Sequence, residues 1–266
     1  MDVPPILDNK RPEAASVFNP KALLREARRQ KGLNFVPVPN VCVLDPDGDI
    51  VRRLRADGTA QRVDDWPCYH TDLFSFWLAG TRVGIIGCAV GAPFAVLIAE
   101  QLFASGCKLL VSVTSAGQIK SVGSPPYFVI IDRALRDEGT SYHYATASEF
   151  ANADPKLIAT MGSAAKATGL RVFTGSSWTT DAPFRETDQA IALARERETL
   201  AVEMEAAALY AFAAAKGVNV VCIAHVTNTM GLADQDFEKG EADGTADALR
   251  LLAALIKAAD AGAFTA

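Results

Sequence analysis

The segment RVGIIGCAVGAPFAVLIAEQLFASGCKLLVSVT, residues 82–114, reads as strand, helix and strand. Arg82 to Cys88 is an apolar run of strand length. Gly91 and Pro93 break it, and Pro93 suits the first turn of the helical stretch Phe94 to Ser105. Lys108 to Thr114 is a second apolar, β-branched run. Two buried strands joined by a helix make a βαβ unit, and the rest of the chain continues the alternation.

On the N-terminal side, residues 1–20 read as loose chain. Lys21 to Lys31 is a short basic helix, and Val36 to Leu44 is extended up to a turn at Asp45-Pro46-Asp47-Gly48. Arg25, Arg28 and Arg29 form a solvated face, or one that meets an anion or a neighbouring subunit. On the C-terminal side, strands are expected at Tyr127 to Ile131, Leu170 to Thr174, Leu200 to Val202 and Val218 to Val226. Helices are expected near Pro155 to Ala167, Thr187 to Arg197, Glu205 to Lys216 and Ala246 to Ala261. This is an α/β chain with helices on both faces of a sheet. We divide it into an N-terminal extension with a short helix, residues 1–35, and one α/β domain, residues 36–266.

With 266 residues, half of them hydrophobic, the chain can bury a large core. Its net charge of -5 argues against nucleic-acid or anionic-membrane partners that need a basic surface. Small molecules are the expected ligands. The five cysteines lie singly, mostly in apolar runs, and read as buried thiols in a reducing compartment. No signal-peptide pattern is present, and no apolar run approaches the roughly 18 residues that span a bilayer, so a cytoplasmic location is expected. His70, His143 and His225 have no metal-ligand spacing, and no metal site is indicated.

Ligands of open α/β sheets lie at the carboxyl ends of strands, and the unusual residues collect there. Gly87-Cys88-Ala89-Val90-Gly91 is a small-residue turn feeding a helix, either a routine connection or one whose N–H groups face an anion. Thr114-Ser115-Ala116-Gly117 joins hydroxyls to a glycine, suiting a phosphate, a sugar or a water nucleophile. Thr227-Asn228-Thr229 is polar after an apolar run. Ser176-Ser177-Trp178-Thr179-Thr180-Asp181 carries a tryptophan that either stacks on a flat ring or belongs to the core. Finally, AVEMEAAALY at 201–210 sets Glu203 and Glu205 where a strand gives way to an alanine-rich helix. One reading puts one glutamate in the first helical turn, favoured by the helix dipole, and the other in solvent.

GIIGCAVGAPFAVLIAEQL, VTSAGQI, DEGTSYHY and AVEMEAAALYAFAAAKGV together resemble the nucleoside phosphorylase family. That family includes uridine phosphorylases, hexameric purine nucleoside phosphorylases and methylthioadenosine nucleosidases. The likeness spans roughly Arg82 to Asn228, in the family's order and spacing. It implies a single domain whose mixed central sheet closes partly into a barrel, and a homodimer or a hexamer built from dimers. It also implies cleavage of the N-glycosidic bond of a nucleoside, with inorganic phosphate as co-substrate and no organic cofactor.

Carried onto this chain, the resemblance places Glu205, with Met204 and Glu203, at the ribose. A carboxylate there positions the hydroxyls and stabilises the cationic sugar of the transition state. Ser115, Gly87, Ser112 and Arg52 fall at phosphate or water positions, and Gly117, Trp178 and Asn228 at the base. His143 is read as a structural histidine on a strand between aromatics. Two departures stand out. Ser112 replaces the arginine that clamps phosphate in the family's phosphorylases, leaving Arg52 or Arg53 as substitute cations. Asn228 stands where purine-cleaving relatives carry an aspartic acid, so base departure needs hydrogen bonding, another acid such as Asp234, or a base that leaves as a stabilised anion. Three readings therefore remain: phosphorolysis, hydrolysis by water, and nucleoside binding without chemistry.

Overall fold

A computed structural model describes residues 4–8, 10–230, 239, 240 and 244–259. In chain order the helices are α1 (Pro20–Lys31), α2 (Asp49–Ala56), α3 (Ala92–Ala104), α4 (Pro155–Lys166), α5 (Asp188–Glu196), α6 (Ala206–Lys216) and α7 (Thr245–Ala258). The strands are β1 (Val41–Asp45), β2 (Gln61–Arg62), β3 (Phe74–Leu78), β4 (Thr81–Gly87), β5 (Leu109–Gln118), β6 (Tyr127–Asp137), β7 (Phe150–Asn152), β8 (Val172–Thr180), β9 (Thr199–Glu203) and β10 (Asn219–Thr229).

The βαβ unit forms as expected, with β1 inserted between its two strands and parallel to both. The sheet then curls. β5 pairs with β10, β10 with β6, β6 with β8, β8 with β9, and β9 returns to β5, closing a five-strand barrel of mixed direction. β4, β3 and β2 extend from β1 as an open wing. This is the fold class expected from the sequence.

Barrel closure lengthens the strands, because each finds a partner along its whole run. β5 continues through Ser115 and Gly117 to Gln118, and β10 through Asn228 to Thr229. Polar residues expected just past the strand ends therefore lie within the strands. Register shifts at Val226/Asn228 in β10 and Ile131/Arg133 in β6 accommodate the curvature.

Alanine at 206, 207 and 208 brings α6 against the barrel with all three side chains buried. The Tyr210 hydroxyl fixes the helix by donating to the Ile131 carbonyl at 2.6 Å and accepting from the Cys222 N–H at 3.0 Å, tying it to β6 and β10. In the N-terminal segment, α1 starts on the Asn19 cap and buries Leu24 and Ala27, packing on α3.

Three local expectations are corrected. α2 was not foreseen beyond the DPDG turn, since three arginines mask the short apolar face of Ile50, Val51 and Leu54. His143 lies in a single 3-10 turn, Ser141–His143, rather than on a strand, because Glu138 accepts from the N–H groups of Thr140 and Ser141 and closes the chain there. Cys88 is exposed, unlike the other four thiols, because β4 ends at Gly87 and Cys88 turns outward at φ 61°. Among the described residues no helix is long and apolar enough to cross a membrane.

Candidate active site

Glu205 sits at the junction of β9 and α6, with its carboxylate almost wholly buried at 1% exposure. Oε1 accepts from the Gly91 N–H at 2.7 Å, while Oε2 is buried without a hydrogen-bond partner. Folded proteins leave few buried polar atoms unpaired, so Oε2 marks a place for an incoming donor. Burial raises the Glu205 pKa to about 8, and the charge of Glu203 adds to this; the Gly91 N–H and the Thr114 hydroxyl oppose it.

Glu203 faces inward as well, so neither glutamate is the solvent-facing one of the local reading. Its oxygens already hold four protein donors. Ser177 Oγ, at 2.9 Å, and Thr179 Oγ1 donate to Oε1, and the N–H groups of Glu205 and Ala206 donate to Oε2 at 2.7 Å each. Glu203 thus caps the first turn of α6, a task that Glu205 leaves undone. Burial also raises its pKa, against the pull of these donors. Met204, between them, is half-buried.

Across the strand ends, the turn after β1 folds its acidic side chains inward. Asp45 is buried and accepts from the N–H groups of Gly48 at 3.2 Å and Val51 at 2.9 Å, starting α2; burial pushes it up to about 7. Asp47 reaches β5, where its two oxygens accept from the Ser115 N–H at 2.7 Å and the Ser115 hydroxyl at 2.9 Å. Asp49 pairs with Arg52 and with Lys239. His225 lines the same small cavity, stacked on Phe128 at 4.5 Å and held neutral, with burial and then Lys239 lowering its pKa to about 4.

The fold thus brings Gly91 onto Glu205 and Asp47 onto Ser115. Asn228 lies opposite Gly117 in the β5–β10 register, and Met230 fills the space over Gly117, where an added Cβ would stand 2.3 Å from its sulfur. Asn228 Nδ2 also points to that sulfur, at 3.6 Å. Gly87 is needed by packing, since a Cβ there would stand 2.7 Å from Val51 Cγ1. Arg52 is half-exposed and donates to the Asp47 carbonyl at 2.9 Å. Ser112 is buried in mid-strand between Leu44 and Cys222, its hydroxyl unpartnered, and does not line the cavity. Trp178 belongs to a second small core with Ile119, Ile191 and Val202, and its indole N–H donates to Asp137 at 3.0 Å. Asp234 lies outside the described residues.

Sequence reading passed over the contact of Asp47 with Ser115 and read His225 only as a histidine without metal-ligand spacing. The available signal was an acidic turn, DPDG, at the carboxyl end of a strand. A wider apolar cleft lined by Phe18, Leu23, Val96, Leu97 and Tyr144 shares no residue with the carboxylate cavity. Chemistry is better sited where buried charge and paired donors converge.

A sequence profile of the phosphorylase superfamily matches residues 40–258, nearly the whole described domain. The chain belongs to the phosphorylase superfamily. Among its relatives, a guanosine phosphorylase of Halorubrum lacusprofundi is 26% identical over 156 residues, 59% of this chain and 65% of that protein, just under two thirds of its length. A purine nucleoside phosphorylase of the DeoD type from Clostridium novyi is 28% identical over 184 residues, 66% of this chain and 79% of that protein. The fold matches a uridine phosphorylase from Vibrio fischeri, solved with 6-hydroxy-1-naphthoic acid, at a TM-score of 0.70 and 21% identity, covering 84% of this chain and 92% of that one. In this member of the superfamily the buried glutamate follows β9 and the Ser115 donors lie within β5, two strands paired in the same barrel.

Proposed function

We propose that this phosphorylase-superfamily protein cleaves the N-glycosidic bond of a nucleoside by phosphorolysis, releasing free base and pentose 1-phosphate. The observation that carries the reading is Glu205: a buried carboxylate with one oxygen unpartnered, at a strand end. Sugar hydroxyls donating to Oε2 would satisfy that atom and favour the ionised form, which then faces the ring as positive charge builds on it. The bond between C1′ and the base nitrogen breaks with its electron pair going to the base, and a phosphate oxygen forms the new bond at C1′. The Asn228 amide suits a hydrogen bond to the departing base. The site serves a small molecule and calls for no organic cofactor.

Hydrolysis is a second reading, supported by one observation. The Ser115 N–H and hydroxyl, the donors nearest the strand-end cavity, are already held by the Asp47 carboxylate. Incubating the pure protein with a panel of purine and pyrimidine nucleosides, with and without phosphate, separates the two. Base release that requires phosphate is expected; release without it establishes hydrolysis. No release in either condition overturns both.

A further inference from the structure

We propose that Asp47 is an internal oxyanion that occupies the anion-binding donors of Ser115, so that the nucleophile's affinity is set by how readily Asp47 gives them up. The backbone N–H and side-chain hydroxyl of Ser115 converge on one carboxylate, each to a different oxygen, at 2.7 and 2.9 Å. This two-point grip is how a protein holds a free oxyanion. Here the chain supplies the oxyanion itself, from a half-buried side chain on the turn between β1 and α2.

The surroundings add to the bias. Asp45 and Asp49 line the same cavity as Asp47. Two nearby cations, Arg52 and Lys239, both pair with Asp49. His225, the remaining basic group facing the cavity among the described residues, is neutral. A phosphate dianion entering at Ser115 must therefore displace a carboxylate and stand among others. Water carries no charge and meets no such penalty. Asp47 is on this basis a specificity-determining residue, weighting the site against phosphate. Because its carboxylate hangs from a turn whose backbone is held separately, by Asp45 and by Arg52 on the Asp47 carbonyl, it can swing away without unfolding α2.

This inference rests on the proposed glycosidic cleavage for its consequence in turnover, where it weights the choice between phosphate and water, but its test needs no turnover. Inorganic phosphate is titrated into the full-length protein by calorimetry, with wild type, Asp47→Ala, and Asp47→Ala combined with Ser115→Ala. Losing the competing carboxylate should tighten phosphate binding by about tenfold or more, and removing the Ser115 hydroxyl should reverse much of that gain. Unchanged affinity in Asp47→Ala, or a gain that persists without the Ser115 hydroxyl, overturns the proposal. Melting curves of the same variants report folding. The nucleoside panel is scored separately, so an inactive enzyme whose Asp47→Ala variant gains phosphate sinks the functional reading and leaves the internal oxyanion standing.

Discussion

Glu203 holds Glu205 by its backbone: the Glu205 N–H donates to Glu203 Oε2 at 2.7 Å, and the Ala206 N–H joins it on the same oxygen. Two carboxylates two residues apart thus have different tasks, one spent on anchoring a helix and the other left with an open oxygen.

Glu203→Ala leaves two backbone donors and two hydroxyls without their acceptor, and should cost about 3 kcal/mol or more of stability. Glu205→Gln should leave the melting temperature little changed, since it also removes the repulsion between the two side chains, yet lower kcat/KM by about 100-fold. Thermal melts and steady-state kinetics on both variants check this. Equal losses of stability in the two would refute the division.

Stability should fall as pH rises from about 6.5 to 8. Burial raises Glu205 to about 8 and both Asp45 and Glu186 to about 7, so between the ordinary carboxyl range and these values the folded state keeps protons that the unfolded state releases. His225, lowered to about 4, acts in the opposite sense, adding stability as pH rises, but only below its ordinary value near 6.5. Melting temperatures across this range should decline, less steeply in Glu205→Gln. A flat profile in wild type would contradict the assignment.

Nucleoside binding should release a proton near pH 7, because sugar hydroxyls donating to Oε2 favour the ionised Glu205. Calorimetry of a turned-over nucleoside, in buffers of differing ionisation enthalpy, measures it. Glu205→Gln should show none.

Trp178→Ala should destabilise by about 3–5 kcal/mol, as large core truncations do, while Trp178→Phe, losing mainly the Asp137 bond, should cost about 1 kcal/mol with KM unchanged. A raised KM in a stably folded Trp178→Phe variant would place the indole at the base after all.

Gly87→Ala and Gly117→Ala should differ. At Gly87 the added Cβ meets Val51 at 2.7 Å and the Gly48 backbone at 3.3 Å, which cannot retreat easily, so a loss of about 1–3 kcal/mol is expected. At Gly117 it meets the flexible end of Met230, and the effect should be smaller and be relieved by Met230→Ala. Chemical denaturation distinguishes them.

Much of the fold was legible because its signals are local. The apolar runs that became β4, β5 and β10, and the alanine-rich stretch that became α6, act within a few residues of themselves. α2 was hidden because three arginines outweigh a three-residue apolar face. Trp178 could not be assigned from type alone: an indole serves a core and a base pocket equally well, and its partners Ile119 and Asp137 are distant in sequence.

The order of strands and helices, and the placing of two glutamates at a strand-to-helix junction, came from the chain's own pattern, since periodicity and such junctions are written in consecutive residues, while Glu205 was set at the ribose by the resemblance alone. Only the tertiary structure distinguished Glu205 from Glu203 and carried Asp47 to Ser115. Which carboxylate is sated and which is left open depends on donors at Gly91, Ser177, Thr179 and Ser115, and only the assembled sheet, barrel and wing together, brings those within hydrogen-bonding distance.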